Sequence, residues 1–312
     1  MISSDDLRFI ATIAQHRTLA EAARTLNITP PSVTQRIQYI EHKLSIQLLQ
    51  RPSRRVSLTE EGRLLVDGGA AILWELGALQ DKLDQRRERV SGKLRVLAPL
   101  GFGNDYIAPL LGQYSQTHSQ LDVELELSDT PQWTSHQKWD VIIYIGQLHD
   151  SSLRMITLAP NQRFICAAPS YLEQHPMPQT PEDLHHHQCI ALRENNEDVT
   201  VWSFMDHVGK RHTLRINPHL ATNEGRVIKA WAMAGLGIIM RSQWDVQPQL
   251  DSGELVRLLP DYQLPDANIV ALVSGSEQER SARISGFLTL LKQALSSSPW
   301  QQGHSGLDEV IG

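Results

Sequence analysis

The chain has 312 residues, of which 41 % are hydrophobic, and carries a net charge of −6 at neutral pH. That length suits two or three domains with packed cores and argues against wholesale disorder. The absence of any apolar run of 18 residues excludes a membrane-spanning helix, and only two cysteines, Cys166 and Cys189, exclude a disulfide framework or a four-cysteine zinc site.

Charge is uneven. Met1–Thr59 holds eight basic and four acidic residues, so this segment is +4 while the other 253 residues carry −10. A small basic head on an acidic body points to a polyanion-binding module. Leu7, Ile10, Ala11 and Ala14 follow the spacing of one helix face. A second short helix carries Leu19, Ala22, Ala23 and Leu26, and Thr18 with Glu21 forms a capping-box pattern before it. Asn27-Ile28-Thr29 breaks it, and a third helix starts near Pro30-Pro31 with Val33, Ile37, Ile40 and Leu44 on its apolar face. Two short helices joined by a tight turn match the helix-turn-helix plan.

Around the start of the third helix, Thr29, Pro31, Ser32, Thr34, Gln35, Arg36 and Gln38 lie off the apolar face. Short or forked side chains there suit base edges and phosphates in a major groove. Gln47–Arg51 and Val56–Leu58 read as two short strands, with Pro52–Arg55 as the turn between them. That is a wing, and it places Arg51, Arg54 and Arg55 near phosphates.

Thr59 caps the next helix, expected to run to about Arg87. Leu65, Gly69, Ile72, Leu76, Leu79 and Leu83 alternate in steps of four and three, a heptad seam for a partner helix. Ser91-Gly92 reads as a hinge. Beyond it Lys93–Ala98, Leu121–Leu127, Val141–Ile145 and Ile269–Val273 read as strands, and Asn104–Thr117, Glu224–Ala234 and Glu277–Leu295 as helices. Alternation of this kind predicts parallel sheets with helices on both faces.

The first ninety residues resemble the LysR-type transcriptional regulators. The resemblance is carried by Leu7-Arg8-Phe9-Ile10, by Leu19 to Leu26, by Ser32-Val33-Thr34-Gln35-Arg36-Ile37 and by Leu58-Thr59-Glu60-Glu61-Gly62. It continues through Leu94-Arg95-Val96, Ile107 to Leu111, Cys166-Ala167-Ala168-Pro169, Leu236-Gly237-Ile238 and Gly253-Glu254-Leu255-Val256. Met240 to Val246 looks most similar to members that regulate tartrate and malate catabolism. The chain departs from the family pattern at Pro30, where glutamine is usual, and at Tyr144, where arginine is frequent.

The resemblance implies an α/β chain with a winged helix-turn-helix, a long linker helix and a periplasmic-binding-protein-like effector domain of two Rossmann-like subdomains. The expected division is 1–59 for the DNA-binding head, 60–90 for the dimerising linker helix and 91–295 for the effector domain. Subdomain I would take 91–160 and 268–295, subdomain II 161–267, with crossings near Ala159–Phe164 and Leu264–Asn268. Residues 296–312, rich in Ser, Gln and Gly, are expected to be a frayed tail.

In such folds ligands bind beyond strand carboxyl ends. Leu100, Gly101 and Phe102 follow the first strand, Ser128 the second, and Tyr144 ends the third. Asn223 and Arg226 open a helix in the other half, and the arginine suits a carboxylate.

The expectation is therefore a cytoplasmic, non-enzymatic regulator of a metabolic operon. It would bind double-stranded promoter DNA and a small organic acid and assemble as a dimer of dimers, a homotetramer. The rivals are an effector-independent architectural DNA-binding protein and an enzyme with a DNA-binding appendage. No cofactor or metal is expected. His185-His186-His187 are adjacent and do not share a face, and both cysteines read as core residues rather than a redox pair.

Overall fold

The computed structural model describes residues 1–50, 55–85, 90–129, 139–146, 153–193, 199–277 and 280–301. The chain divides into two compact units, Met1–Arg87 and Glu88–Gly312.

The first unit opens with α1 (Ser4–Ala14), α2 (Leu19–Thr25) and α3 (Pro30–Leu44). Ser3, Thr18 and Thr29 cap the three, each accepting a backbone N–H three residues on. Their apolar faces meet in one core of Phe9, Ile10, Ile13, Ala22, Val33 and Ile37. The close packing of α2 on α3 uses the small Ala22 and Ala23, both wholly buried. The expected wing is narrower than two strands. Among the described residues it is one bridge, Leu49 to Leu58, with the Gln50 N–H donating to the Ser57 carbonyl at 2.8 Å.

The long helix α4 (Glu60–Gln85) treats the heptad seam in two ways. Leu65 and Gly69 turn inward, and a Cβ at Gly69 would sit 3.0 Å from the Leu7 side chain. The later seam positions Ile72, Leu76, Leu79 and Leu83 are exposed. The upper part of the seam therefore belongs to the head's own core. Period alone cannot tell an intrachain from an interchain partner.

The second unit holds a five-stranded sheet, a three-stranded sheet and two two-stranded ones among its described residues. Strands β1 (Gly92–Ala98), β2 (Leu121–Leu127), β3 (Val141–Ile145) and β4 (Arg154–Ala159) lie in the first, and β5 (Arg163–Ala167) starts the second. Between β1 and β2 run α5 (Leu100–Phe102), a π turn (Gly103–Ile107) and α6 (Ala108–Thr117). Helix thus begins four residues earlier than the periodicity predicts. Pro109 has no N–H to give the preceding turn, and the turn widens to a π turn that carries Asp105 and Tyr106.

After β5 come α7 (Pro169–Leu172), β6 (Ile190–Leu192), the hairpin β7 (Val201–Met205) and β8 (Arg211–Arg215), and β9 (Leu220–Thr222). Then follow α8 (Gly225–Met233), β10 (Ile239–Ser242), α9 (Gln243–Ser252) and β11 (Val256–Leu258). The chain returns to the first sheet as β12 (Ile269–Val273) and closes with α10 (Ala282–Leu295).

The first sheet has the order β2-β1-β3-β12-β4, parallel except for β12, which runs antiparallel to both neighbours. The second, β10-β5-β11, is antiparallel throughout, which differs from the expectation of parallel sheets. A short apolar run reads the same in either direction, and the connections set the sense. The chain crosses between sheets twice, and Asn161 pins the crossings together. Its Nδ2 donates to the Ala267 carbonyl at 2.9 Å and to Ser242 Oγ at 3.3 Å. This amide is 3 % exposed, so its partners replace water it cannot reach.

The frayed-tail expectation fails for Ser296–Gln301. Ser298 takes φ +48°, and Pro299 and Trp300 are buried against the first sheet's core. Composition marked the segment as loose, but one proline and one tryptophan supply the apolar area that holds it.

Candidate DNA interface and ligand cleft

On α3 the expected DNA-facing residues divide into groups. Gln35 and Gln38 are exposed on the outer face with Pro31. Three hydroxyls make local bonds: Thr29 Oγ1 lies 2.8 Å from Ser32 Oγ, and Thr34 Oγ1 donates to the Pro30 carbonyl at 3.2 Å. Arg36 turns back toward α1. Its guanidinium lies 4.6 Å from the Phe9 ring centroid, 3.4 Å from the Asp5 carbonyl and 3.9 Å from Asp6 Oδ1. Arg55 is exposed, and Arg51 and Arg54 lie outside the described residues. The sequence reading passed over Tyr39, which is 62 % exposed on the same helix beside Lys43.

Asp6 explains this arrangement. It is 5 % exposed, and Lys43 Nζ donates to it at 2.9 Å. Burial works against its charge, but the hydrogen bonds from Lys43 and Ser3 prevail and hold its carboxyl below the ordinary value. Two of the eight basic residues, Arg36 and Lys43, are therefore paired with a carboxylate of the head itself.

In the second unit an open cleft with about 580 Å³ of space, solvent-exposed part included, lies between the two sheets. One wall carries Pro99, Gly101, Asp105 and Asp129; the other carries Gly225, Arg226, Arg241 and Ser242. Trp244 and Asp245 line it as well. An ion pair links the two walls: Arg226 Nη2 lies 2.9 Å from Asp105 Oδ1, and both side chains are about half exposed.

Beneath that pair sits a second, buried one. Asp245 Oδ2 accepts from Arg241 Nε at 2.7 Å, and Asp245 Oδ1 from Lys229 Nζ at 2.8 Å. Burial would raise the Asp245 carboxyl, but the two cations outweigh it and leave it below the usual carboxylate value. Gly225 makes room for this arrangement, since a Cβ there would fall 2.6 Å from Arg241 Nη2. A tryptophan completes the floor: the Trp244 ring lies 5.3 Å from Phe102 and 6.1 Å from Tyr106. Burial, and then the Asp105 and Asp245 charges, push the Tyr106 phenol up to about 12.

The expected ligand residues fare unequally. Gly101 and Arg226 line the cleft. The Leu100 N–H donates to Asp129 Oδ1 at 2.8 Å, so the chain supplies a carboxylate of its own there. Glu224 does the same at the start of α8, accepting the Arg226 N–H at 3.0 Å. Phe102 is fully buried behind Trp244, and Tyr144 is 5 % exposed in a separate apolar layer with Leu97 and Trp139. Ser128 gives its N–H to the Ala98 carbonyl at 2.9 Å, and Asn223 is exposed just ahead of the cleft's second wall. The sequence reading missed Asp105, Asp129, Arg241 and Asp245. The Arg241–Asp245 spacing of four was its one available signal.

Among the described residues no group of three or more His, Cys, Asp or Glu side chains is placed to hold a metal ion. Cys166 and Cys189 are buried, and burial pushes both thiols up to about 12. No described helix is long and apolar enough to cross a membrane.

A helix-turn-helix head and a two-walled ligand cleft on one chain define a ligand-responsive regulator of transcription. Two family models match: "Bacterial regulatory helix-turn-helix protein, lysR family" over residues 4–63, and "LysR substrate binding domain" over residues 87–296. The chain belongs to the LysR family of DNA-binding transcriptional regulators. It is 35 % identical over 267 residues to the HTH-type transcriptional activator TtdR of Escherichia coli strain UTI89, covering 86 % of each. It is 32 % identical over 289 residues to the HTH-type transcriptional regulator DmlR of E. coli K12, covering 93 % of each. In fold it is similar to the full-length Vibrio cholerae virulence activator AphB. The TM-score is 0.62 at 23 % identity, covering 93 % of this chain and 98 % of that one.

Proposed function

We propose that this regulator senses a small organic acid bearing at least one carboxylate in the cleft between its two sheets. The observation that carries the reading is the Asp105–Arg226 pair. A half-exposed guanidinium on one wall is held by a carboxylate from the other, across an open cleft at the ends of the strands. An effector carboxylate competes with Asp105 for Arg226, and the walls are then joined through the ligand rather than directly. Exchange of one carboxylate for another costs little, so the ligand's remaining contacts decide which state is populated. Asp129 and Ser242 offer partners for a hydroxyl on the acid. Buried Arg241 and Asp245 fix the position of the cleft's second wall.

In this reading residues 1–59 are the DNA-binding head, with Gln35 and Gln38 at base edges and Arg55, Arg51 and Arg54 at phosphates. Residues 60–90 join two heads through Ile72, Leu76, Leu79 and Leu83, and residues from 91 onward form the sensor. Paired sensors assemble dimers into a tetramer at the promoter of a metabolic operon. The protein works in the cytoplasm and turns over no substrate.

Isothermal titration of the full chain with mono- and dicarboxylates of two to five carbons tests the sensor. Saturable binding of at least one acid, lost in Arg226→Ala, is the expected result. No binding across the panel favours the effector-independent architectural protein. Release of a chemically altered acid favours the enzyme.

A further inference from the structure

Trp300 lies beyond residue 296, where the family's sensor domain ends, yet it is 4 % exposed and part of the first sheet's core. The left-handed turn at Ser298 swings the chain off the end of α10 and aims the indole at the cleft floor. Its ring meets Tyr106 at 5.7 Å and Phe102 at 6.3 Å, both edge-on. The same two rings also meet Trp244, from the start of α9.

Helix α9 belongs to both halves of the sensor. Its Val246 is buried in the second sheet's core, whereas Trp244 is buried in the first's. Trp244 is thus a peg from one half set into the other, two residues after Ser242, to which Asn161 is bonded. The next residue of the tail continues the contact, since Gln301 Nε2 donates to Gln243 Oε1 at 3.3 Å. Among the described residues neither indole N–H has a hydrogen-bond acceptor, so ring contacts hold Trp300, and Trp244 also has the Arg241 guanidinium 6.0 Å from its ring. The peg also bounds the cleft, because Gly101 leaves only 3.0 Å between a hypothetical Cβ and Trp244 Cη2.

We infer that Pro299–Gln301 is a strap that holds the Trp244 peg against Phe102 and Tyr106, and so sets how far the two walls of the effector cleft can part. Trp300 is a positioning residue; it touches the floor from behind and no ligand. The inference rests on the cleft being the effector site, and deepens that reading by naming what limits its opening.

Nitroxide labels at Gln116→Cys on α6 and Gln174→Cys after α7 report the separation of the halves. Pulsed electron resonance on the full chain, diluted with unlabelled protein, reads that distance without any effector. Trp300→Ala should widen the distance distribution at least twofold, and Trp300→Phe should restore the parent distribution. An unchanged distribution in Trp300→Ala overturns the strap. If that variant does not fold, Trp300→Leu supplies the same comparison, with the same outcome overturning the idea. Titration with the carboxylate panel keeps the two readings apart. A parent protein that binds none of them removes the effector assignment, while the label distances still decide whether the strap restrains the halves.

Discussion

Asp105 and Arg226 stand 121 positions apart in the chain and 2.9 Å apart across the cleft, an ion pair that joins its two walls. Because both side chains are about half exposed, the pair contributes at most about 1 kcal/mol to stability. Its importance lies in occupancy: Asp105 holds the place an effector carboxylate would take. Asp105→Asn should therefore tighten binding of the preferred acid by about threefold. Arg226→Ala should weaken it at least tenfold, about 1.4 kcal/mol. Titration calorimetry on both variants checks the pair, and equal effects of the same sign would remove Asp105 as a competitor.

Gly225 is placed where any larger residue meets Arg241. Arg241 is 7 % exposed and bound to Asp245, so it has little room to yield. Gly225→Ala should destabilise the sensor by about 1–3 kcal/mol through overpacking. Urea unfolding of the parent and the variant measures this, and a loss below about 0.5 kcal/mol would show that Arg241 can move aside.

His212 on β8 is gripped by two carboxylates, Glu182 at 3.0 Å and Asp206 at 3.1 Å. The bonds from Glu182 and then Asp206 raise its pKa above the ordinary imidazole value, and His212 in turn lowers both acids. A raised histidine contributes stability that is complete below its unfolded value, about 6.5, and is lost as pH rises through the folded value. The acids contribute in the opposite sense, losing theirs as pH falls through their depressed values. Thermal unfolding should therefore show the β7–β8 hairpin most secure between the carboxylate range and neutrality. The decline above neutrality should flatten in His212→Gln, and an identical decline there would locate it elsewhere.

The basic residues of α3 and the wing should separate by assay. Arg55→Ala should lower the slope of log affinity against log salt by about 0.9, as one lost phosphate contact requires. Gln35→Ala should broaden the sequences recovered from random DNA without that change in slope. Arg36→Ala should leave the slope alone and destabilise the isolated head by about 1 kcal/mol, through loss of its Phe9 contact. A drop in salt slope for Arg36→Ala would put this arginine on the DNA.

The exposed leucines of the α4 seam lie beyond Gly69. Leu76 and Leu79, 40 % and 57 % exposed, should tolerate Asp without loss of the folded head, while the double change disrupts the dimer. Sedimentation of residues 1–90 reads the second effect and circular dichroism the first. An intact dimer would move the interface elsewhere.

Much of this protein was legible in residue order because the relevant physics is local. Helix periodicity, the caps Thr18 and Thr29, the glutamines of α3 and the strands flanking the cleft all depend on neighbours within a few positions. The loop after β1 and the opening of α8 were identifiable as cleft walls for the same reason. Other features depended on partners that sequence spacing does not encode. Arg36 and Arg226 look alike as exposed cations, but Asp6 lies beside one and Asp105 beside the other. The backbone N–H of Leu100, in the loop expected to meet a ligand, is taken by Asp129 from 29 positions away. The seam of α4 is one pattern in the chain and two surfaces in space, because Leu7 reaches Gly69. Trp300 lies in a segment whose composition reads as loose, and only the cluster waiting at Phe102, Tyr106 and Trp244 makes it part of the core. Periodicity and capping set the elements, whereas long-range packing and charge pairing decided which side chains remain available to DNA or ligand.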